Sequence, residues 1–196
     1  MVAIQKYRRQ LLSINRIKCA VEESKMRFLI TNMDGFRNKG CEASLKAIVN
    51  GIRNLDGDAE FKIFTWTPEY DVLWVGENRN ASFLTVPFRG FFPLLGNKIL
   101  SRPWQYRLIG KLGMSESIKN GMEAFQWADV VLSTGGDIFS STYPGLFLRL
   151  IPIKVAASYK KPVILLGHSI GPFEKENEYK AFKKAMKHGN LSVLSI

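Results

Sequence analysis

Alternating strand and helix signals predict an α/β chain: a Rossmann-like, mainly parallel sheet with helices on both faces. Three observations carry this. Runs such as Ala128–Thr134 (ADVVLST) and Pro162–His168 (PVILLGH) are apolar without alternation, as expected of strands buried on both sides. Segments of helical periodicity separate them, and strand–helix–strand alternation builds parallel sheets. Glycine-bearing turns follow three of the strands, at the edge where open α/β sheets receive ligands.

The elements follow in chain order. Residues 1–25 read as a basic amphipathic extension, with Ile4, Tyr7, Leu11, Ile14 and Val21 at helical spacing among Lys and Arg. It is either an arm lying on acidic lipid or a solvated extension ahead of a start at Met26. Residues 26–196 form the Rossmann-like lobe. Arg27–Asn32 is a short apolar strand, Glu42–Leu55 a helix with one apolar face, Ala59–Trp66 an alternating strand and Ser82–Pro87 a weaker one. Arg102–Trp127 reads as mostly helical despite Gly110, Gly113 and Gly121. After the Ala128–Thr134 strand, Gly135-Gly136-Asp137 reads as a turn in which Asp137 either meets a ligand or caps the next helix. Leu146–Tyr159 predicts a buried helix bent at Pro152, followed by the Pro162–His168 strand, the charged helix Glu176–His188 and a strand over Leu191–Ile196. Val86–Ser117 fits the alternation worst and reads as an insertion or flap. The chain stops on an apolar strand without a covering helix, which leads us to expect a second lobe beyond it.

Composition narrows the function classes. The 196 residues hold 28 Lys and Arg against 17 acids, a formal charge of +11, so acidic partners are expected. Two cysteines make no disulfide framework, and two histidines support no His-rich metal site, so no metal is expected. No stretch reaches the ~20 apolar residues of a membrane span. Aromatics alternate with cations between Arg79 and Lys119, but no nucleic-acid motif accompanies them. The Phe91–Leu95 run is greasier than a stacking platform needs. Nucleic acid is therefore disfavoured, and an anionic membrane surface or an absent second lobe fits better.

Three turns could carry chemistry. At Asn38-Lys39-Gly40-Cys41-Glu42, glycine permits close approach and the helix start offers donors to an anion. The alternative is a plain cap and tight turn. It is neither a dinucleotide fingerprint nor a P-loop. Cys41 reads as a small buried residue rather than a nucleophile, having no histidine nearby in sequence. At Gly135-Gly136-Asp137 the glycines leave room for a ligand, and Asp137 could bind a sugar hydroxyl or act as a base. At Gly167-His168-Ser169-Ile170-Gly171, His168 stands at a strand end where an imidazole can serve as acid or base.

Taken in order, RFLITN, NKGCEA, ADVVLSTGGD and KKPVILLGHSIGPF resemble the polysaccharide pyruvyl transferase family from about Met26 to Ile196. The likeness is strongest over Lys161–Phe173 and weak over Trp66–Ser117. Many members carry an aspartate where Cys41 stands, which puts a carboxylate role at that turn in question. The resemblance implies one lobe of a two-lobed, GT-B-like cytoplasmic enzyme, here without its C-terminal lobe. It implies transfer of the enolpyruvyl group of phosphoenolpyruvate onto sugar hydroxyls, giving a pyruvate ketal in exopolysaccharide or cell-surface glycan synthesis. The acceptor would be lipid-linked or a polymer precursor, at the inner face of the membrane, with no cofactor besides the donor. On this reading His168 and Asp137 are catalytic, while Asn38, Gly40, Glu42, Gly135, Gly136, Ser169 and Gly171 bind substrate. The competing readings are a nucleotide-sugar glycosyltransferase of the same shape and a non-catalytic lobe that binds acidic lipid or glycan.

Overall fold

The computed structural model describes residues 25–77, 80–87, 105, 107, 108, 111, 115–143, 145–187 and 190–194. The expected basic extension, but for its last residue, and most of the expected insertion lie outside the described residues. So do His188 of the helix expected over Glu176–His188 and the last two residues of the strand expected over Leu191–Ile196.

The strands β1 (Arg27–Thr31), β2 (Glu60–Thr65), β3 (Ala81–Thr85), β4 (Val130–Ser133), β6 (Pro162–Leu166) and β8 (Asn190–Leu194) form one parallel sheet in the order β3-β2-β1-β4-β6-β8. The chain builds outward from β1 through β2 and β3, then returns to β4 on the other flank. That reversal leaves a crevice above the carboxyl ends of β1 and β4.

Side chains alternate along β1, β2, β4 and β6, and the two faces bury separate cores. Leu29, Phe64, Val131, Val163 and Leu165 face α3 (Glu116–Trp127), α5 (Ile151–Ser158) and α6 (Glu176–Lys187). Ile30, Phe61, Ile63, Val130 and Leu132 pack with Leu45 and Val49 of α1 (Lys39–Arg53) and with Trp74. The parallel sheet with helices on both faces is thus as the sequence predicts. Phe61, Phe64, Phe125 and Phe139 are fully buried, each worth roughly 1.5–3 kcal/mol against exposure. Among the described residues no helix is long and apolar enough to cross a membrane.

Several local expectations are corrected. The helix expected from Glu42 begins at Lys39, so Gly40 lies in its first turn rather than in a preceding loop. A short helix α2 (Pro68–Asp71) and a 3-10 turn (Val72–Glu77) follow β2, where no helix was expected. The helix expected over Leu146–Tyr159 is two pieces, α4 (Leu146–Arg149) and α5. The break is at Leu150, two residues before Pro152, which has no N–H to donate to the Leu148 carbonyl one turn back. The strand expected to run to His168 ends at Leu166. Gly167, at φ +58, redirects the backbone, and His168 opens a separate strand β7 (His168–Ile170). Gly136–Phe139 is likewise a strand, β5, rather than a turn into a helix. Continuing β4 and β6 beyond the main sheet, β5 and β7 pair in parallel, with Gly136 opposite His168.

Candidate functional site

The crevice is assembled from the chain segments that leave β1, β4 and β6. After β1, Asn32 takes a left-handed conformation, φ +63, which costs an ordinary side chain energy but suits asparagine best. Its Nδ2 donates to Ser133 Oγ at 2.9 Å and to the Arg149 carbonyl at 3.1 Å, joining the end of β1 to β4 and α4. Thr134 Oγ1 donates back to the Asn32 carbonyl at 2.9 Å. Asp71, fully buried, accepts from the Phe36 amide at 2.9 Å and from the hydroxyls of Thr65 and Thr67, which anchors the loop after β1.

At the β4–β6 side, glycine is required by distance. A Cβ on Gly135 would lie 2.5 Å from the Leu166 carbonyl oxygen and 2.6 Å from that of Gly167. The close approach lets Gly136 N–H donate to Gly167 O at 3.1 Å and start the β5–β7 ribbon. His168 is held inside this ribbon, 7% exposed, its ring 4.6 Å from that of Phe139. His168 Nε2 is 2.9 Å from Ser133 Oγ, whereas Nδ1 is buried without a hydrogen-bond partner. Burial pushes the imidazole pKa down to about 4, against the weaker opposing pull of the Ser133 and Gly136 backbones. The ring is neutral at pH 7, so it can accept a proton but has none of imidazolium's acidity. Asp137 is exposed, next to the Gly136 that pairs with His168. Ser169 is exposed on β7, and Gly171, at φ +82, donates its N–H to the Phe139 carbonyl at 2.8 Å.

The α1 turn stands on the other side of the crevice. Asn38 Oδ1 accepts from the amides of Gly40 at 3.0 Å and Cys41 at 3.4 Å, capping the helix. Glu42 pairs with Lys39 and Lys46, which hold its carboxyl down to about 2. Cys41 is half-buried, and burial pushes its thiol up, against nucleophilic use. Gly135, Gly136, Asp137, His168, Ser169 and Gly171, and the turn from Asn38 to Glu42, therefore sit above one rim of the sheet, without a direct hydrogen bond between the two groups among the described residues.

Between them lies a cluster that motif spacing does not reveal. Asp34 accepts from the Tyr143 hydroxyl and from Arg149 Nη2, the latter at 2.5 Å. Arg149 and Asn32 line a cleft with Phe64, Trp66, Val86, Phe125, Leu148 and Pro152. The one sequence signal for Arg149 is a charge interrupting the otherwise greasy stretch from Leu146. Asp34 carries none, since acids are common in turns.

No curated protein and no solved structure matches the chain. A family model described as polysaccharide pyruvyl transferase matches residues 38–193. That span runs from the α1 cap through the Gly135–Gly136 approach to the β6–β7 turn and covers most of the 196 residues, and the chain therefore belongs to the polysaccharide pyruvyl transferase family.

Proposed function

We propose that the protein is a cytoplasmic pyruvyl transferase that moves the enolpyruvyl group of phosphoenolpyruvate onto two hydroxyls of a saccharide destined for exopolysaccharide or another surface glycan. The reaction needs a proton on the enol methylene, bases for two sugar hydroxyls and donors for two acidic groups. The methylene takes a proton and becomes methyl, leaving an oxocarbenium-like carbon that the first hydroxyl attacks. Its proton passes to a base, phosphate departs with the C–O bonding electrons, and the second hydroxyl attacks the same carbon and gives its proton to a base as the ketal closes.

The observation that carries this reading is the neutral, partner-poor His168 on a ribbon that continues β4 and β6 past the carboxyl end of the sheet. It pairs there with Gly136, the residue before the exposed Asp137. Proton transfer is assigned to the unpartnered Nδ1 of His168, which a substrate reaches only if the ribbon that buries it opens, and to the exposed Asp137 carboxylate as second base or sugar contact. Gly135 and Gly136 shape the rim, Asn38, Gly40 and Glu42 shape the opposite wall, and Ser169 and Gly171 extend the ribbon toward the acceptor. The test supplies the full-length protein with phosphoenolpyruvate labelled in its carbon chain and a glycan acceptor. Label is expected on the glycan, with large losses in His168→Ala and Asp137→Ala. Label retained by both variants would remove these assignments, and transfer from a nucleotide-sugar instead would favour a glycosyltransferase.

Peripheral attachment to acidic lipid is a further part of this reading, supported by a groove lined by Arg107, Lys111, Lys119 and Tyr159 on the helical face. An acceptor carried on lipid would then be met at the membrane surface.

A further inference from the structure

Arg149 and Asp34 are a costly pair to place where they are. Their side chains are 11% and 24% exposed. Withdrawing two charges from water costs several kcal/mol per ion, and an apolar pair of equal size often serves stability as well or better. Packing alone gives no reason for charge here. A second cost sits beside it, the left-handed backbone of Asn32. Both costs fall at the carboxyl end of β1, on the rim where the strand order reverses.

The hydrogen-bond inventory shows what this arrangement offers. Asn32 uses both amide hydrogens, on Ser133 and on the Arg149 carbonyl, which leaves Oδ1 as an acceptor. Arg149 gives one nitrogen to Asp34 and stacks 5.2 Å over the Tyr143 ring. A guanidinium has five donors in a planar fork, so a further edge is available to two coplanar oxygens. Asp34 offsets much of the guanidinium charge but engages one nitrogen, so what the free edge offers a ligand is chiefly its paired N–H donors. The rest of the cleft, with Phe64, Trp66 and Leu148, is apolar, and its volume of about 30 Å³ admits a methylene or methyl end and not a hydrated phosphate.

We propose that Arg149 binds the carboxylate of the small acidic donor, with Asp34 and Tyr143 as positioning residues that hold its guanidinium at the rim. This rests on the donor reading above and adds the residue that recognises one end of that molecule. A guanidinium fork takes carboxylate and phosphate alike, and the carboxylate is chosen because the apolar lining beside Arg149 suits a hydrated phosphate poorly.

Calorimetric titration of the full-length protein with phosphoenolpyruvate, pyruvate and inorganic phosphate tests the assignment. Arg149→Gln is expected to weaken the two carboxylates by about tenfold or more, as for a lost charge-assisted pair, and to leave phosphate alone. Arg149→Lys, which keeps the charge without the fork, should fall between. Asp34→Asn should weaken the carboxylates too. It should also let the Tyr143 phenol, now pushed up to about 12 chiefly by its hydrogen bond to Asp34, ionise nearer its ordinary value of 10.0 in an ultraviolet titration. Thermal melts establish that each variant is folded, and if Arg149→Gln is not, Arg149→Lys and Asp34→Asn carry the comparison. Undiminished binding of both carboxylates in the folded Arg149 variants overturns the proposal and leaves the donor reading standing. Arg149-dependent pyruvate binding by a protein that does not bind or turn over phosphoenolpyruvate keeps this site and ends the donor reading. Failure of the native protein to bind any carboxylate overturns both.

Discussion

At the scale of single residues, His168 sets a pH dependence. Its folded pKa of about 4 lies below the ordinary 6.5, so the unfolded chain binds a proton that the folded one refuses. The contribution is fully present above pH 6.5 and is lost as pH falls toward 4, on the order of 3 kcal/mol across that window. Urea midpoints measured between pH 7 and 4 should fall more steeply for the native protein than for His168→Gln; parallel slopes would contradict the assignment. Gly135 makes a steric prediction. Gly135→Ala presses a methyl onto two backbone carbonyls and should cost about 1–3 kcal/mol, read as a lower melting temperature. The need for glycine there is legible in the sequence only as a doublet after a strand. That the obstacle is the β6–β7 backbone is a distance between residues some thirty positions apart.

At the scale of elements, α1 owes its start to Asn38, whose side chain satisfies two otherwise unpaired amides. Asn38→Ala should destabilise by about 1 kcal/mol, while Asn38→Asp should be nearly neutral; chemical denaturation of both variants checks this. Helix periodicity located α1, α3 and α6 because each has one apolar face, a local property. It failed at α4–α5, where the stretch is apolar enough to hide the break, and at β5 and β7. Those strands are four and three residues long and exist through their pairing with each other, which no local pattern records. The same pairing moved His168 from the end of a core strand into a ribbon above the sheet.

For the whole molecule, a charge of +11 with a basic groove on the helical face predicts an association governed by salt. Vesicles containing an acidic phospholipid should sediment the protein at low ionic strength and release it as the Debye length shrinks from ~30 Å at 0.01 M to ~3 Å at 1 M. Neutral vesicles should not retain it, and charge reversal at Lys111 and Lys119 should weaken the binding. Retention that is indifferent to salt and headgroup would contradict the electrostatic account. The sequence by itself determined the parallel α/β class, the family and the rim on which the glycine turns gather. Strand burial, helix faces and turn residues are written in short windows of chain. Only the tertiary structure decided that Asp34, Tyr143 and Arg149 meet, that His168 is neutral and that Asn32 joins three segments. Those facts depend on contacts between residues 35 to more than a hundred positions apart and on the exclusion of water from the space between them.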